Sequence, residues 1–247
     1  MTSRLLMPRR RLSGSGSQAA VVAGGVEATR ILDWGHPRVA RLADEVRGAG
    51  ERELVREAHR LIGDRIRPVY AMNDEQPVSV TVRRGRGSCS QRMAVLEAVA
   101  RARGIATRVR GRVIDGAFWY ARFPGMRALV PDEVVLAWPE FRVEGRWVAV
   151  SEIYDGLCVD SGFDNAGAET LFDAVARTAV DWDGTVAPTC DLSARVVADL
   201  GYFGTRDELF REYGQTLRPG VRWVVDLVMS RRGAGFRPVR RCLEQAL

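Results

Sequence analysis

Apolar residues recur at helical spacing in three early stretches of the chain. In "ILDWGHPRVARLADEVRG" a Gly-His-Pro turn precedes Val39, Leu42 and Val46, which predicts a short helix. In "ERELVREAHRLIGDRIRPVY" Leu54, Val55, Ala58, Leu61, Ile62 and Ile66 fall on one stripe, and Pro68 ends it. The third stretch opens at Cys89, where Val95, Ala98, Val99 and Ala102 keep the period until Gly104 supplies a stop. The intervening "AMNDEQPVSVTVRRGRGS" reads as a polar loop. Beyond Gly104 the period changes. "IATRVRGRVI" and "GAFWYARF" read as strands, and "DEVVLAWPEFRVEGRWVAVSEIY" as two β-rich runs around a Glu144-Gly145 turn.

From about Gly162 helical signals return in "AETLFDAVARTAV", in "TRDELFREYGQTL" and in "PGVRWVVDLVMSRR". The second of these has Thr205 as an N-cap and Glu208 at capping-box spacing. Helices, a cysteine-led helix and then antiparallel strands make an α+β layout with extra C-terminal helices. The expected organisation is a flexible tail over 1–25, a core over 26–160, and a helical extension packed on that core over 161–247.

Composition adds constraints. With 46% hydrophobic and 28% charged residues among 247, the chain has material for a sizeable core. All 37 basic residues are arginine, and the net charge is +6. A GC-rich coding sequence explains the missing lysine; forked contacts with carboxylates or phosphates are the functional alternative. Either way a basic surface attracts acidic partners. No run approaches the ~20 apolar residues of a membrane helix, and "MPRRRLSGSGSQAAVVAGG" is too short and polar for a twin-arginine signal. Cys89, Cys158, Cys190 and Cys242 form no C-x-x-C pair and no metal spacing, which points to a reducing cytoplasm and to no metal or cofactor. Arg231, Arg232, Arg237, Arg240 and Arg241 read as a solvated basic tail, and no nucleic-acid motif accompanies them.

The segments "ILDWGHPRVARLADEV", "VREAHRLIGDRIR", "GRGSCSQRMAVLEAVARARGIATRV" and "LAWPEFRVEGRWVAVS" resemble the transglutaminase-like superfamily, in particular its bacterial cysteine peptidase branch. The most specific element is Gly87-Ser88-Cys89 followed by Gly104-Ile105-x-x-Arg108. The resemblance implies a papain/transglutaminase-like α+β core with a nucleophilic cysteine, here Cys89, at the start of a helix packed on an antiparallel sheet. It also implies acyl transfer or amide hydrolysis through a cysteine thioester, with a histidine and an aspartate on neighbouring strands. This chain departs from that pattern: Leu136 stands where His-Ala-Trp would begin, and Ser151 where the aspartate would end the next strand.

A helix N-terminus lowers a thiol pKa and presents backbone amides to an oxyanion. A histidine would add proton handling worth about 10² to 10⁴ in rate. Without it, unactivated amides are poor substrates, whereas a thioester releases a thiolate that scarcely needs a proton. His36 and His59 read as structural histidines. Asp132 and Glu152 are the candidate substitute acids or bases; Ser88, Leu136, Trp138 and Ser151 are the candidate substrate-contacting residues. Three readings follow. One is an atypical acyltransferase that takes an acyl group from an activated donor, an acidic carrier protein among the candidates. It would pass that group to an amine, a peptide or water, with biosynthetic amide formation as a setting. The others are a degenerate binding or scaffold protein, and an amidase or peptidase with an unconventional base. None needs nucleic acid or a membrane.

Overall fold

The computed structural model describes residues 22–123, 125, 127–155, 162–166, 169–185, 190–217 and 222. Helices α1 (Pro37–Glu45) and α2 (Glu51–Arg65) lead into a short strand β1 (Arg67–Pro68). A third helix, α3 (Val78–Arg84), precedes strand β2 (Arg86–Gly87), which pairs in parallel with β1 and runs directly into α4 (Cys89–Ala102). The expected polar loop therefore holds a helix. Its apolar inner side is short but real, with Val78 and Thr81 fully buried, and Gly85 ends it in the left-handed region at φ 58°.

A four-stranded antiparallel sheet with the order β5-β4-β3-β8 forms the second layer. It is built from β3 (Thr107–Asp115), β4 (Glu133–Val143), β5 (Arg146–Ala149) and β8 (Val196–Phe203). The turn between β4 and β5 falls at Glu144 and Gly145 as expected, both at positive φ (53° and 78°). Two-residue strands β6 (Val180–Asp181) and β7 (Cys190–Asp191) make a parallel pair, and helices α5 (Leu171–Ala174) and α6 (Arg206–Tyr213) are the last two helices given a range among the described residues. The mixed helical and antiparallel architecture is the expected α+β core.

Helix α4 is the centre of the molecule. It packs on α1, α2 and α3 and on strands β3 and β4. Every residue from Gln91 to Arg101 is buried. Burial of each large side chain among Met93, Val95, Leu96 and Val99 contributes about 1.5–3 kcal/mol. Three charged residues, Arg92, Glu97 and Arg101, are enclosed with them and must find partners inside.

Several expected elements take a different form. "GAFWYARF" leaves the sheet as a 3-10 turn over Gly116–Trp119, because the Asp115 carboxylate accepts the Ala117 N–H at 2.8 Å and caps it. Gly116 is required there: a Cβ would lie 1.7 Å from the Pro131 carbonyl oxygen. Helix in "AETLFDAVARTAV" is confined to Leu171–Ala174. Residues 196–203, placed in a helical extension by the sequence, instead form β8 and close one edge of the main sheet. Residues 22–25, placed in the tail, include Val22, whose carbonyl accepts from Arg108, and Gly25, which bridges to Thr107. Thr205 caps α6 as read, accepting the Glu208 N–H at 3.1 Å. "PGVRWVVDLVMSRR" (Arg222 aside), the C-terminal arginines, Cys158 and Cys242 lie outside the described residues.

Candidate functional site

Cys89 is the first residue of α4, and the sequence around it explains why a helix starts there. The Ser88 hydroxyl accepts the Gln91 N–H at 3.3 Å, while the Gln91 side chain accepts the Ser88 N–H at 3.1 Å. This capping box commits Ser88 to the helix start. The other end of the Gln91 amide donates to the Asn73 carbonyl at 2.9 Å and holds the 70–76 loop against the same turn. Among the described residues no intramolecular acceptor takes the N–H of Cys89 or of Ser90. Two donors are therefore left at the positive end of a 14-residue helix.

Part of Cys89 reaches solvent, but its sulfur lies among enough protein atoms that lost hydration pushes the thiol up to about 11. The Arg92 guanidinium opposes that rise, Asp173 adds to it, and the Phe172 N–H and Arg122 oppose it. Dehydration wins, so at neutral pH the residue is a thiol.

Arg92 sits one turn along α4 and is 1% exposed. Its guanidinium pairs with Asp173 at 2.9 Å, donates to the Thr170 hydroxyl at 3.3 Å and lies 4.1 Å from the Phe172 ring centroid. Asp173 also caps its own helix, taking the Thr170 N–H at 3.0 Å and hydroxyl at 2.6 Å. Despite burial, the Arg92 charge and these donors hold its carboxyl below the usual range. A carboxylate stabilised this way is a weak base. Arg122, the other cation beside the thiol, is anchored through Asn165 at 2.6 Å.

The two histidines of the chain are both accounted for. His36 is exposed and caps α1 by accepting the Arg38 N–H at 3.2 Å. His59 is 1% exposed and stacks on Phe172 with centroids 4.2 Å apart. Its Nε2 donates to the Phe172 carbonyl at 2.6 Å, which leaves Nδ1 to accept from the Tyr154 hydroxyl at 3.1 Å. With both nitrogens engaged, the imidazole has no lone pair to offer Cys89. Burial pushes its pKa down to about 4, with the Phe172 carbonyl opposing and Arg92 reinforcing the fall.

That shift makes a prediction. Between about 4 and 6.5 the unfolded chain binds a proton at His59 that the folded chain does not, so stability rises with pH there and is lost on acidification. The full shift corresponds to about 3 kcal/mol. Thermal unfolding of wild type and His59→Gln across that window should show the steeper acid loss in wild type; parallel curves would contradict it.

The remaining sequence candidates are placed as follows. Asp132 is exposed, and its carbonyl accepts the Gly116 N–H at 2.8 Å. Ser151 is buried and Glu152 exposed in a 3-10 turn over Val150–Glu152. Although the residue is exposed, partial loss of hydration around its carboxyl, then Asp155, raises the Glu152 pKa. Leu136 and Trp138 share one face of β4 with Glu140, opposite Arg112, Arg110 and Arg108 of β3. Trp138 is buried edge-on against Trp182, with ring centroids 5.5 Å apart. Arg108 pairs with Glu140 at 2.7 Å between the Trp147 and Tyr202 rings. Among the described residues no group of three or more His, Cys, Asp or Glu side chains is arranged to hold a metal. No helix there is long and apolar enough to cross a membrane.

The residues that set the electrostatics of the thiol are Arg92, Arg122, Phe172 and Asp173, none of them a candidate from the sequence. One signal was present: Thr170-x-x-Asp173 has capping-box spacing, and Arg92 lies three residues after Cys89 on the same helix face.

The family model of the transglutaminase-like superfamily matches residues 40–151, a span that runs from α1 through Cys89 to Ser151. Over this span the chain is similar to the transglutaminase-like superfamily. The superfamily is one of cysteine-dependent acyl transfer and peptidase chemistry. No curated protein and no solved structure matches the chain.

Proposed function

We propose that the chain is an atypical transglutaminase-like acyltransferase in which Cys89 takes an acyl group from a thioester and passes it to an amine, or to water. The observation that supports this most is the state of the Cys89 turn. A cysteine opens a capped helix beside two unclaimed N–H donors, yet neither histidine can serve as its base. In this reading Leu136 and Ser151 are vacated triad positions. Without a proton relay an amide nitrogen would have to leave unprotonated, which is prohibitive; a thioester sulfur leaves readily as thiolate.

In the first step the Cys89 thiol gives up its proton to solvent, the resulting thiolate sulfur bonds to the donor carbonyl carbon, and the oxygen charge is held by the Cys89 and Ser90 N–H groups. The donor C–S bond breaks and its thiolate departs. In the second step an amine attacks the Cys89 thioester, loses a proton to solvent, and releases Cys89. Amide formation in a biosynthetic pathway is the setting that suits this chemistry.

The test is direct. Incubation with acetyl-N-acetylcysteamine followed by intact mass measurement should show one acetyl adduct on the native chain, absent from Cys89→Ser. An unmodified native Cys89, in a chain whose denatured form labels freely, overturns the proposal. The raised thiol pKa favours a second reading, a binding or scaffold protein descended from an enzyme. It predicts that Cys89→Ala keeps full function in the cell.

A further inference from the structure

Arg122 is held firmly by groups that leave its charge uncompensated. Its backbone N–H donates to the Trp119 carbonyl at 3.0 Å. Its Nε donates to the Asn165 amide oxygen at 2.6 Å and its Nη2 to the Glu169 carbonyl. Both acceptors are neutral, and the Glu169 carboxylate is turned to Arg177 instead. Asn165 is 3% exposed, donates to the Phe118 carbonyl at 2.6 Å and takes a left-handed backbone at φ 55°, where non-glycine residues are uncommon. A buried clamp thus fixes a half-buried guanidinium whose Nη1 has no acceptor among the described residues.

Two routes tie this clamp to Cys89. Glu169 is followed by Thr170, whose hydroxyl accepts from Arg92, one turn along α4 from Cys89. Arg92 gives Nη1 to Thr170 and Nη2 to Asp173, and its buried Nε has no acceptor. On the other side the Phe123 ring packs on Tyr70, with centroids 4.7 Å apart. Tyr70 follows Val69, whose N–H donates at 3.0 Å to the carbonyl of Gly87, two residues before Cys89. Arg92 and Arg122 are the two cations that act on the Cys89 sulfur; Asp173 neutralises the first, and nothing neutralises the second.

We propose that Arg122, backed by the Arg92 Nε–H, is a carboxylate subsite beside Cys89, and that the acyl group passed to Cys89 is the half-thioester of a dicarboxylic acid. The inference rests on the acyltransferase reading. A fixed guanidinium with a free edge suits a carboxylate. Holding the far end of the acyl group sets its carbonyl against the sulfur, so binding energy from a non-reacting group supplies part of what the missing base would have given. Atoms balance as in the first step above: the thiol proton goes to solvent, the donor C–S bond breaks, the Cys89 S–C bond forms and the donor thiolate departs. The second carboxylate is bound and not consumed.

The experiment compares malonyl- and glutaryl-N-acetylcysteamine with the neutral butyryl and hexanoyl donors, on wild type, Arg122→Gln and Arg122→Lys. Intact mass follows acylation of Cys89, and the rate ratio within each acidic–neutral pair is the readout, because a change in the thiol itself alters both members alike. At least one acidic donor is expected to acylate wild type about tenfold faster than its neutral counterpart. Arg122→Gln should abolish that preference and Arg122→Lys should keep part of it. Equal rates in wild type overturn the subsite, as does a preference that survives Arg122→Gln. A carboxylate on the amine acceptor offers the same chemistry in the second step. A preference confined to that step, for glycine over glycinamide at equal free-amine concentration, overturns the assignment to the acyl group. If no donor acylates native Cys89, the acyltransferase reading falls and alkylation tests the subsite alone. Glutarate or malonate slowing iodoacetamide at Cys89 in wild type, but not in Arg122→Gln, upholds the carboxylate seat; no protection overturns it.

Discussion

Alkylation of Cys89 by iodoacetamide is expected to accelerate steadily through the alkaline range and to level only near pH 11, where burial has pushed the thiol. The magnitude at neutral pH follows from two opposed effects. At pH 7.5 a thiol of that pKa is about 10²·⁵-fold less ionised than a free cysteine near 8.5. Its thiolate is intrinsically more nucleophilic, by about tenfold for a Brønsted slope near 0.4–0.5. The net expectation is alkylation roughly 30-fold slower than free cysteine at pH 7.5, rising about tenfold per pH unit above it. Peptide-level mass spectrometry separates Cys89 from Cys190, whose sulfur donates to the Phe163 carbonyl at 3.3 Å in a buried setting. A profile that levels at or below 8.5 would mean that Arg92, Arg122 and the helix N–H groups outweigh dehydration. Leu136→His, at the position where the superfamily resemblance places a histidine, is expected to bring the plateau down by roughly 1–3 units through an imidazolium partner. An unchanged plateau would show that position 136 does not address the sulfur.

These expectations depend on residues of unequal visibility in the sequence. The stripes of α2 and α4 are written in local spacing, and so is the Glu144-Gly145 turn, whose two residues both take the positive φ that a tight hairpin demands. Local spacing also marks Cys89 as a helix start through Ser88 and Gln91. What surrounds the sulfur is not local. Arg92 reaches Thr170, 78 residues away, and His59 reaches Phe172, 113 residues away. A single polar residue in an apolar helix gives no sign of which distant partner will neutralise it. β8 was hidden for a related reason: "VVADLGYF" alternates weakly, and its strand character comes from pairing with β3. Residues 116–119 show the converse, where an aromatic run favours a strand but a capping carboxylate and the nearby Pro131 carbonyl turn the chain away.

The second large effect is expected at the other end of α4. Glu97 and Arg206 are both fully buried and joined to each other, tying α6 to the central helix. Arg206 also donates to the Ser90 hydroxyl at 3.2 Å and to the Ala137 carbonyl at 3.3 Å, so it touches the residue after Cys89 and the residue after Leu136. Replacing one partner leaves the other charge in a dry interior. Each of Glu97→Leu and Arg206→Met is therefore expected to cost about 3–5 kcal/mol, read as a fall in melting temperature of roughly 6–20 °C for a chain of this size. The double variant Glu97→Leu/Arg206→Met removes both desolvation penalties together and is expected to recover most of that loss. It should fall short of wild type by the two neutral contacts, about 1 kcal/mol each. The second oxygen of Glu97 already lacks a hydrogen-bond partner, so the pair is not fully compensated as it stands and its removal is correspondingly cheap. A double variant no more stable than the singles would contradict this account, because it would mean that the contacts to Ser90 and Ala137, and not the charge pair, hold α6 and β4 to the Cys89 helix.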